Sequence, residues 1–513
     1  MLSLLRRIPD SGPEVECLKD LALDQITAMT CLTGDFSAYV LSVLQQPLQD
    51  PANVIYRQEI CRDFFKYPEL LPELTQLCRD YELLKKEWDE AAARQRSKTS
   101  AMQAISQSLD FVRDTISALE VNALYCGKIA AFPEVLLAAL SKYRLQSQGL
   151  IELQEICRER LADPDYQRLR QITADLAEVA PMIGKGCEIC VDIQDSLHAG
   201  EAHLAGVKSG KPEQVQRPQP LLGALFGRSA KPVEKAPEAG IALDGVSQRE
   251  LVSLVNEALK ETNSLLVHVT QSIYAPFANL ADELWFYRFA LKLKQVYEKE
   301  KVPYCFPTVK PSADDVFACE ELYDLLLLVQ DADRKYPLRN IVPNDVQLEA
   351  STCGMLVQGA NGTGKTTFLR SVGIGQILAQ AGLPVPARAA VISVRRRILT
   401  QFSGEDTING ADTAGRFEGE VKEVAEIIAQ LEPCSLVLFN ETFQTTAFDE
   451  AAAAIFDILD VISEVNIKWV FVTHLMQLGA MFSGSGRAVL FLQTSAAGSR
   501  RYKLEKMQVA GDC

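Results

Sequence analysis

No apolar run in this chain reaches the roughly 18 residues that a membrane-spanning helix requires. The N-terminus, Met1-Leu2-Ser3-Leu4-Leu5-Arg6-Arg7, lacks the long apolar core and cleavage site of a secretory signal. These two absences give the expectation of a cytoplasmic protein with no membrane partner. An excess of positive charge is missing as well: 52 Lys+Arg stand against 67 Asp+Glu, a net charge of −15. The overall charge therefore does not advertise nucleic-acid binding, although a local basic patch is all that such binding needs. Paired cysteines are scarce. The 13 cysteines are scattered singly except for Cys187 and Cys190, and no second Cys or His pair has matching spacing. That favours packed thiols on a helix, in a reducing compartment, over zinc or redox chemistry. Histidine is rare too, and His198, His203 and His268 read most simply as surface or core residues.

At 513 residues the chain is too long for one ordinary domain, and 48% hydrophobic residues are ample for packed cores. Residues 1–204 read as helix after helix, with apolar residues at three- and four-residue steps. Residues 205–240 break the pattern: Pro212, Pro218, Pro220, Gly223, Gly227, Pro232, Pro237 and Gly240 leave no room for a regular element. Between 207 and 236 six Lys/Arg face two Glu, a local balance of +4. The segment reads as a flexible basic insertion, either a solvated linker or a contact to a phosphate backbone. Helical periodicity returns over 241–304, as expected of an arm that leaves, is interrupted at its tip and comes back. From 305 to 513 short apolar runs alternate with helical stretches and turns. This is the pattern of an α/β domain with a largely parallel sheet.

The most informative stretch lies in that last part. Gly359-Ala360-Asn361-Gly362-Thr363-Gly364-Lys365-Thr366-Thr367 is a complete Gly-x-x-x-x-Gly-Lys-Thr phosphate loop, led by the apolar run Met355-Leu356-Val357 and followed by a helix pattern. Glycines let the backbone curl so that N–H groups point at phosphate oxygens, and the following helix adds its positive end. Lys365 reaches the β/γ-phosphates, and the Thr366 hydroxyl binds Mg²⁺. Leu436-Val437-Leu438-Phe439 is the partner strand, ending in Asn440-Glu441. An Asp is usual at the first of these positions. Asn440 keeps a carbonyl acceptor for the Mg²⁺ shell, through water, but loses the charge, and Glu441 is the candidate general base. Trp469-Val470-Phe471-Val472 ends in Thr473-His474, which puts His474 at a third strand end, placed to sense a γ-phosphate.

Together these motifs resemble the MutS family of DNA-repair ATPases, within the ABC-type P-loop class. The resemblance covers 340–480 well and 50–300 loosely. It includes Ile341-Val342-Pro343-Asn344-Asp345, where it implies that Asn344 contacts the base of a bound nucleotide. Ser403-Gly404-Glu405-Asp406 is similar to a segment after the second strand, and Gly415-Arg416-Phe417-Glu418-Gly419-Glu420 to the Ser-x-Phe-x-x-Glu signature. Tyr56-Arg57-Gln58 and Leu284-Trp285-Phe286-Tyr287 resemble core and lever helices. The fold so implied is α plus α/β, a helical core/lever region followed by an ABC-type P-loop ATPase domain.

Three departures qualify what is implied. The signature Ser, which in the family reaches the opposite subunit's γ-phosphate, is Gly415 here. Asn440 weakens the Mg²⁺ argument, and Thr442 to Phe448 lacks the usual Gly-x-Gly-Thr character. Slow or conditional hydrolysis with nucleotide binding retained is the expectation. Helices resembling the core begin almost at once, so mismatch reading is not expected. The dimer would rest on the ATPase faces themselves, given no dimerising helical segment before Cys513. The favoured reading is an ATP- and Mg²⁺-dependent homodimeric clamp on duplex or branched DNA. The runner-up is an ATP-gated interaction scaffold that does not bind DNA, and a degenerate phosphate loop serving as a structural ligand site comes third.

Overall fold

The structure is a computed structural model that describes residues 3–10, 12–31, 34–102, 109–164, 166–168, 170–171, 173–174, 187–193, 199–207, 264, 266–268, 270–332, 341–402, 413–443, 448–494 and 502–507. In chain order its helices and strands are α1 (Leu23–Thr30), α2 (Gly34–Leu44), α3 (Pro51–Lys66), α4 (Leu70–Met102), α5 (Leu109–Ala130), α6 (Phe132–Ser141), α7 (Gln148–Ala162), β1 (Cys187–Ile193), β2 (Ala199–Val207), α8 (Leu280–Glu300), β3 (Thr308–Lys310), β4 (Phe317–Leu322) and α9 (Leu325–Ala332). These are followed by β5 (Asn344–Leu348), β6 (Gly354–Gln358), α10 (Lys365–Gln380), β7 (Ala389–Ser393), β8 (Ile398–Phe402), α11 (Thr413–Ala429), β9 (Leu436–Asn440), α12 (Phe448–Glu464), β10 (Lys468–Thr473), α13 (Gln477–Ser485), β11 (Val489–Thr494) and β12 (Leu504–Lys506).

Two compact units result. One comprises 1–2, 72–144 and 151–281; the other 3–71, 145–150 and 282–513. The partition by composition put residues 1–204 together, whereas 3–71 cluster with the ATPase half. The cause is side-chain bonding to distant backbone. Arg57 on α3 donates from its guanidinium to the Ala381 carbonyl at 3.1 Å, just beyond α10, and Gln58 donates to the Pro307 carbonyl at 3.0 Å. Leu48 and Gln380 exchange bonds at 3.2 and 2.9 Å. The N-terminal segment is strapped down too: Glu283 accepts from the Ser3 hydroxyl and the Leu4 amide, both at 2.7 Å.

The first unit is mainly helical, with a core of Trp88, Leu119, Ala123, Cys126, Ile129, Tyr166, Leu266 and Ile273. Two findings correct the sequence reading there. Residues 187–193 and 199–207 form an antiparallel hairpin, not helix, pairing Cys187 with Val207 and Cys190 with His203. The alternation Ile189, Val191, Ile193 is a strand period that the helical context hid. Strand β2 also runs to Val207, past the expected start of the insertion, and residues 208–240 lie outside the described residues. Second, one stretch among the described residues, Val121–Ser141, is long and apolar enough to cross a membrane. Half of its apolar window is buried in protein and Pro133 opens α6 within it, which is the character of a core helix.

The second unit carries a six-stranded sheet in the order β12-β11-β6-β10-β9-β8, parallel except for β11 with β12. This is the largely parallel sheet expected from strand–helix alternation. A further four-stranded sheet, β3-β7-β4-β5, is mixed. On one face of the large sheet Val437, Phe439, Trp469 and Phe471 pack against Ile455 and Leu459 of α12 and Val424 and Ile427 of α11. Strands β6 and β10 are buried along their whole length, as expected for central parallel strands. At the opposite end from the phosphate loop lies a buried charge group. Arg395, fully buried, pairs with Asp315, and the Lys468 ammonium lies 3.0 Å from the other Asp315 oxygen. Lys468 also donates to the Glu349 and Ala350 carbonyls at 2.8 and 3.2 Å. It thereby fastens the turn before β6 to the start of β10. Burial lowers the Lys468 pKa, an effect that Asp315 partly offsets.

Candidate nucleotide site

Parallel register brings three strand ends to one edge. Thr473 lies beside Gln358, and Val472 beside Asn440. Gly359, Glu441 and His474, each the next residue in its chain segment, therefore share that edge, where ligands bind in open α/β sheets. The Glu441 amide donates to the Val472 carbonyl at 2.9 Å, and Gln358 donates to the Leu475 carbonyl at 2.6 Å, so adjacent strand ends are tied to one another. His474 is half-buried there.

The loop runs from Gly359 to Gly364 and α10 begins at Lys365. Ala360, Asn361 and Gly362 are exposed at its tip, while Thr363 and Lys365 are buried. Gly364 has φ +91°, a conformation that L side chains avoid, which explains glycine at the helix start. The Lys365 ammonium reaches three oxygens: the Gly359 and Ala360 carbonyls at 3.0 Å each and Glu441 Oε1 at 3.1 Å. Thr366 donates its hydroxyl to Asn440 Oδ1 at 2.9 Å. Thr367 is half-buried in the first turn of α10. Thus Lys365, Thr366, Asn440 and Glu441 are brought together from two elements 74 residues apart.

The turn after β9 is unusual. Glu441 and Phe443 both have left-handed φ, +54° and +61°, which costs a non-glycine residue about 1–2 kcal/mol. Two contacts offset that cost. The Phe443 ring is buried in the core under α12, and the Thr442 hydroxyl donates to the Gln401 side-chain oxygen on β8. The missing glycine character at Thr442–Phe448 is thus compensated by burial, at least through Phe443; residues 444–447 lie outside the described residues.

Mg²⁺ takes oxygen ligands and keeps water and phosphate in its shell. The Thr366 hydroxyl and the Asn440 amide oxygen converge at hydrogen-bond distance, so the donor set fits an ion that arrives with a nucleotide. Among the described residues no group of three or more His, Cys, Asp or Glu could hold a metal alone.

Asn344, expected at the base, is buried at the start of β5. Its amide nitrogen donates to the Tyr502 carbonyl at 3.2 Å, and its oxygen accepts from the Leu504 amide at 2.8 Å. Sequence reading missed Thr494 and Tyr502. Thr494, at the end of β11, donates to the Thr363 hydroxyl at 2.7 Å, and a Cβ at Gly359 would run into its Oγ1. No spacing rule ties a residue 131 positions away to the loop, so nothing in the local sequence signals either one. Ser403–Asp406 lie outside the described residues. Gly415, Arg416 and Phe417 fall within the first five residues of α11, and their side chains are likewise outside them.

Comparison with known proteins points to one family. The family description "MutS domain V" matches residues 355–504, and "MutS2 N-terminal domain" matches 49–299. The chain belongs to the MutS family. Among MutS-family relatives, a "DNA mismatch repair protein MutS" of Granulibacter bethesdensis is 37% identical over 141 residues, 27% of this chain and 15% of that protein. One of Leptospira interrogans is 26% identical over 275 residues, 53% and 30% respectively. "DNA mismatch repair protein msh3" of Emericella nidulans is 32% identical over 146 residues, 28% and 13%. The chain spans less than a third of the length of these relatives.

Proposed function

We propose that this MutS-family chain is a nucleotide-gated ATPase that works on DNA as a homodimer, in the cytoplasm and without a membrane partner. The observation that carries the reading is the convergence of Lys365, Thr366, Asn440 and Glu441 at one sheet edge. Lys365 and the N–H groups of Gly362 to Thr367 hold the phosphates of ATP. Thr366 and, through water, Asn440 would hold Mg²⁺, which would supply positive charge against the phosphates. Glu441 orients the attacking water and takes its proton, and His474 meets the γ-phosphate from the neighbouring strand end. Lys365 must release Glu441 before both can act, so substrate binding frees the base. With a neutral amide where the carboxylate is usual, hydrolysis is slow.

DNA as the partner is supported by the names of the relatives. The contacts would be to phosphates, without reading of mismatches, on duplex or branched DNA, and would weaken steeply with salt. A second reading, an ATP-gated scaffold that binds protein and not DNA, is favoured by the net charge of −15. Steady-state ATP hydrolysis with and without homoduplex, mismatched and branched DNA, with Lys365→Ala as the blank, decides between them. Stimulation by DNA supports the first. Hydrolysis indifferent to every DNA supports the second, and hydrolysis equal to the blank sinks the ATPase reading.

A further inference from the structure

The segment 502–504 is clasped to Pro343 and Asn344 by three bonds. Besides the two made by the Asn344 amide, Lys503 Nζ donates to the Pro343 carbonyl at 2.8 Å. The clasp has a visible consequence: Tyr502 is held at φ +70°, a left-handed conformation in a residue with a bulky side chain. Its ring then stands over the start of α10, where a Cβ built on Gly364 would lie 3.2 Å from Tyr502 Cδ1. Gly364 directly precedes Lys365, so this aromatic flanks the helix terminus that receives phosphate. Thr494, at the end of β11, meets Thr363 and Gly359. Thr494 at the end of β11 and Tyr502 just before β12 thus both approach the phosphate loop.

We propose that Tyr502 is a nucleoside-binding residue, the aromatic wall against which the base or ribose of the bound nucleotide packs, and that Asn344 acts on the nucleotide by positioning Tyr502. Asn344 spends one donor and one acceptor on backbone at 502 and 504, which is where a positioning residue directs its amide. An aromatic face offers a base a stacking surface that needs no hydrogen-bond code. The strained φ at Tyr502 persists because the clasp fixes its own carbonyl and the two residues that follow it. This inference rests on the nucleotide site described above and adds a residue to it.

The test compares binding of ATP and of inorganic tripolyphosphate to the full chain by calorimetry. Tyr502→Ala is expected to weaken ATP about ten-fold, within the range for loss of one base–aromatic stack, and to leave tripolyphosphate unchanged. Tyr502→Phe, which keeps the ring, restores ATP affinity. Asn344→Ala weakens ATP as Tyr502→Ala does, and the double variant shows no further loss, as for two residues acting as one unit. Unchanged ATP affinity in Tyr502→Ala overturns the proposal, as does an equal loss for ATP and tripolyphosphate, which would make Tyr502 a prop of the loop alone. Additive losses in the double variant overturn the positioning role of Asn344. If the unaltered chain binds neither ligand, the nucleotide site itself fails, a result distinct from all of these. Thermal unfolding of each variant separates a lost contact from a lost fold.

Discussion

The ammonium of Lys365 lies 3.1 Å from Oε1 of Glu441, joining the phosphate loop to the turn after β9 by an ion pair in which the lysine is buried. The same carboxylate that should activate water therefore competes with phosphate for the lysine. Glu441→Gln keeps shape and removes the charge. Hydrolysis is expected to fall about 10²–10⁴-fold, the usual worth of a general base, while ATP binds more tightly because Lys365 is released. Single-turnover hydrolysis and fluorescent-nucleotide binding measure the two effects. Weaker ATP binding in this variant would contradict the competition.

Asn440 supplies the amide oxygen that accepts from Thr366. Asn440→Asp places a full charge beside the expected Mg²⁺ position, and cations bind charged oxygen more strongly. The Mg²⁺ concentration for half-maximal hydrolysis is expected to drop and kcat to rise. A Mg²⁺ titration of initial rates checks this, and an unchanged midpoint would show that the neutral oxygen already suffices.

Gly364→Ala forces an L residue to φ +91° and pushes a methyl toward Tyr502. A loss of about 1–2 kcal/mol in unfolding free energy is expected from the backbone alone. Urea denaturation followed by circular dichroism reads it.

Asp315 neutralises two buried cations, Arg395 and Lys468. Asp315→Ala strands both, and removing one partner of a buried pair typically costs about 3–5 kcal/mol. A large fall in the urea midpoint is expected, with nucleotide affinity retained in the folded fraction, because the group lies at the far end of the sheet from the loop.

Cysteine reactivity follows burial. Burial pushes the thiols of Cys17, Cys61, Cys78 and Cys157 up to about 12, and those of Cys31, Cys126 and Cys305 to about 11. Thiolate is the reacting form, so these residues should resist alkylation in the native state from pH 7 to 9. Among the cysteines whose side chains are described, Cys353 and Cys434, both half-buried, are expected to label first. Mass spectrometry of protein treated with iodoacetamide resolves the order, and early labelling of Cys61 would show that α3 opens readily.

Much of the site could be read directly from the sequence. Gly359–Thr367 and Asn440–Glu441 are short motifs whose letters carry their own geometry, and the apolar runs before them are buried strands as their composition requires. The hairpin at 187–207 was hidden because Ile189, Val191 and Ile193 sit among residues of helical character, and pairing with a second strand, not propensity, decides such a segment. The grouping of 3–71 with the ATPase half was equally out of reach. It depends on Arg57 and Gln58 finding carbonyls at Ala381 and Pro307, more than 240 residues away.

What the sequence determined alone is what local rules govern: a curling glycine loop before a helix, strands alternating with helices, acid and histidine at strand ends. Each depends on residues within a few positions of one another. Only the tertiary structure decided that Lys365 meets Glu441, that Asn344 is committed to the backbone at Tyr502 and Leu504, and that Tyr502 stands over Gly364. Those contacts join points 76 to 160 residues apart, and a side chain's distant partner is set by how whole strands stack, which no local pattern of residues encodes.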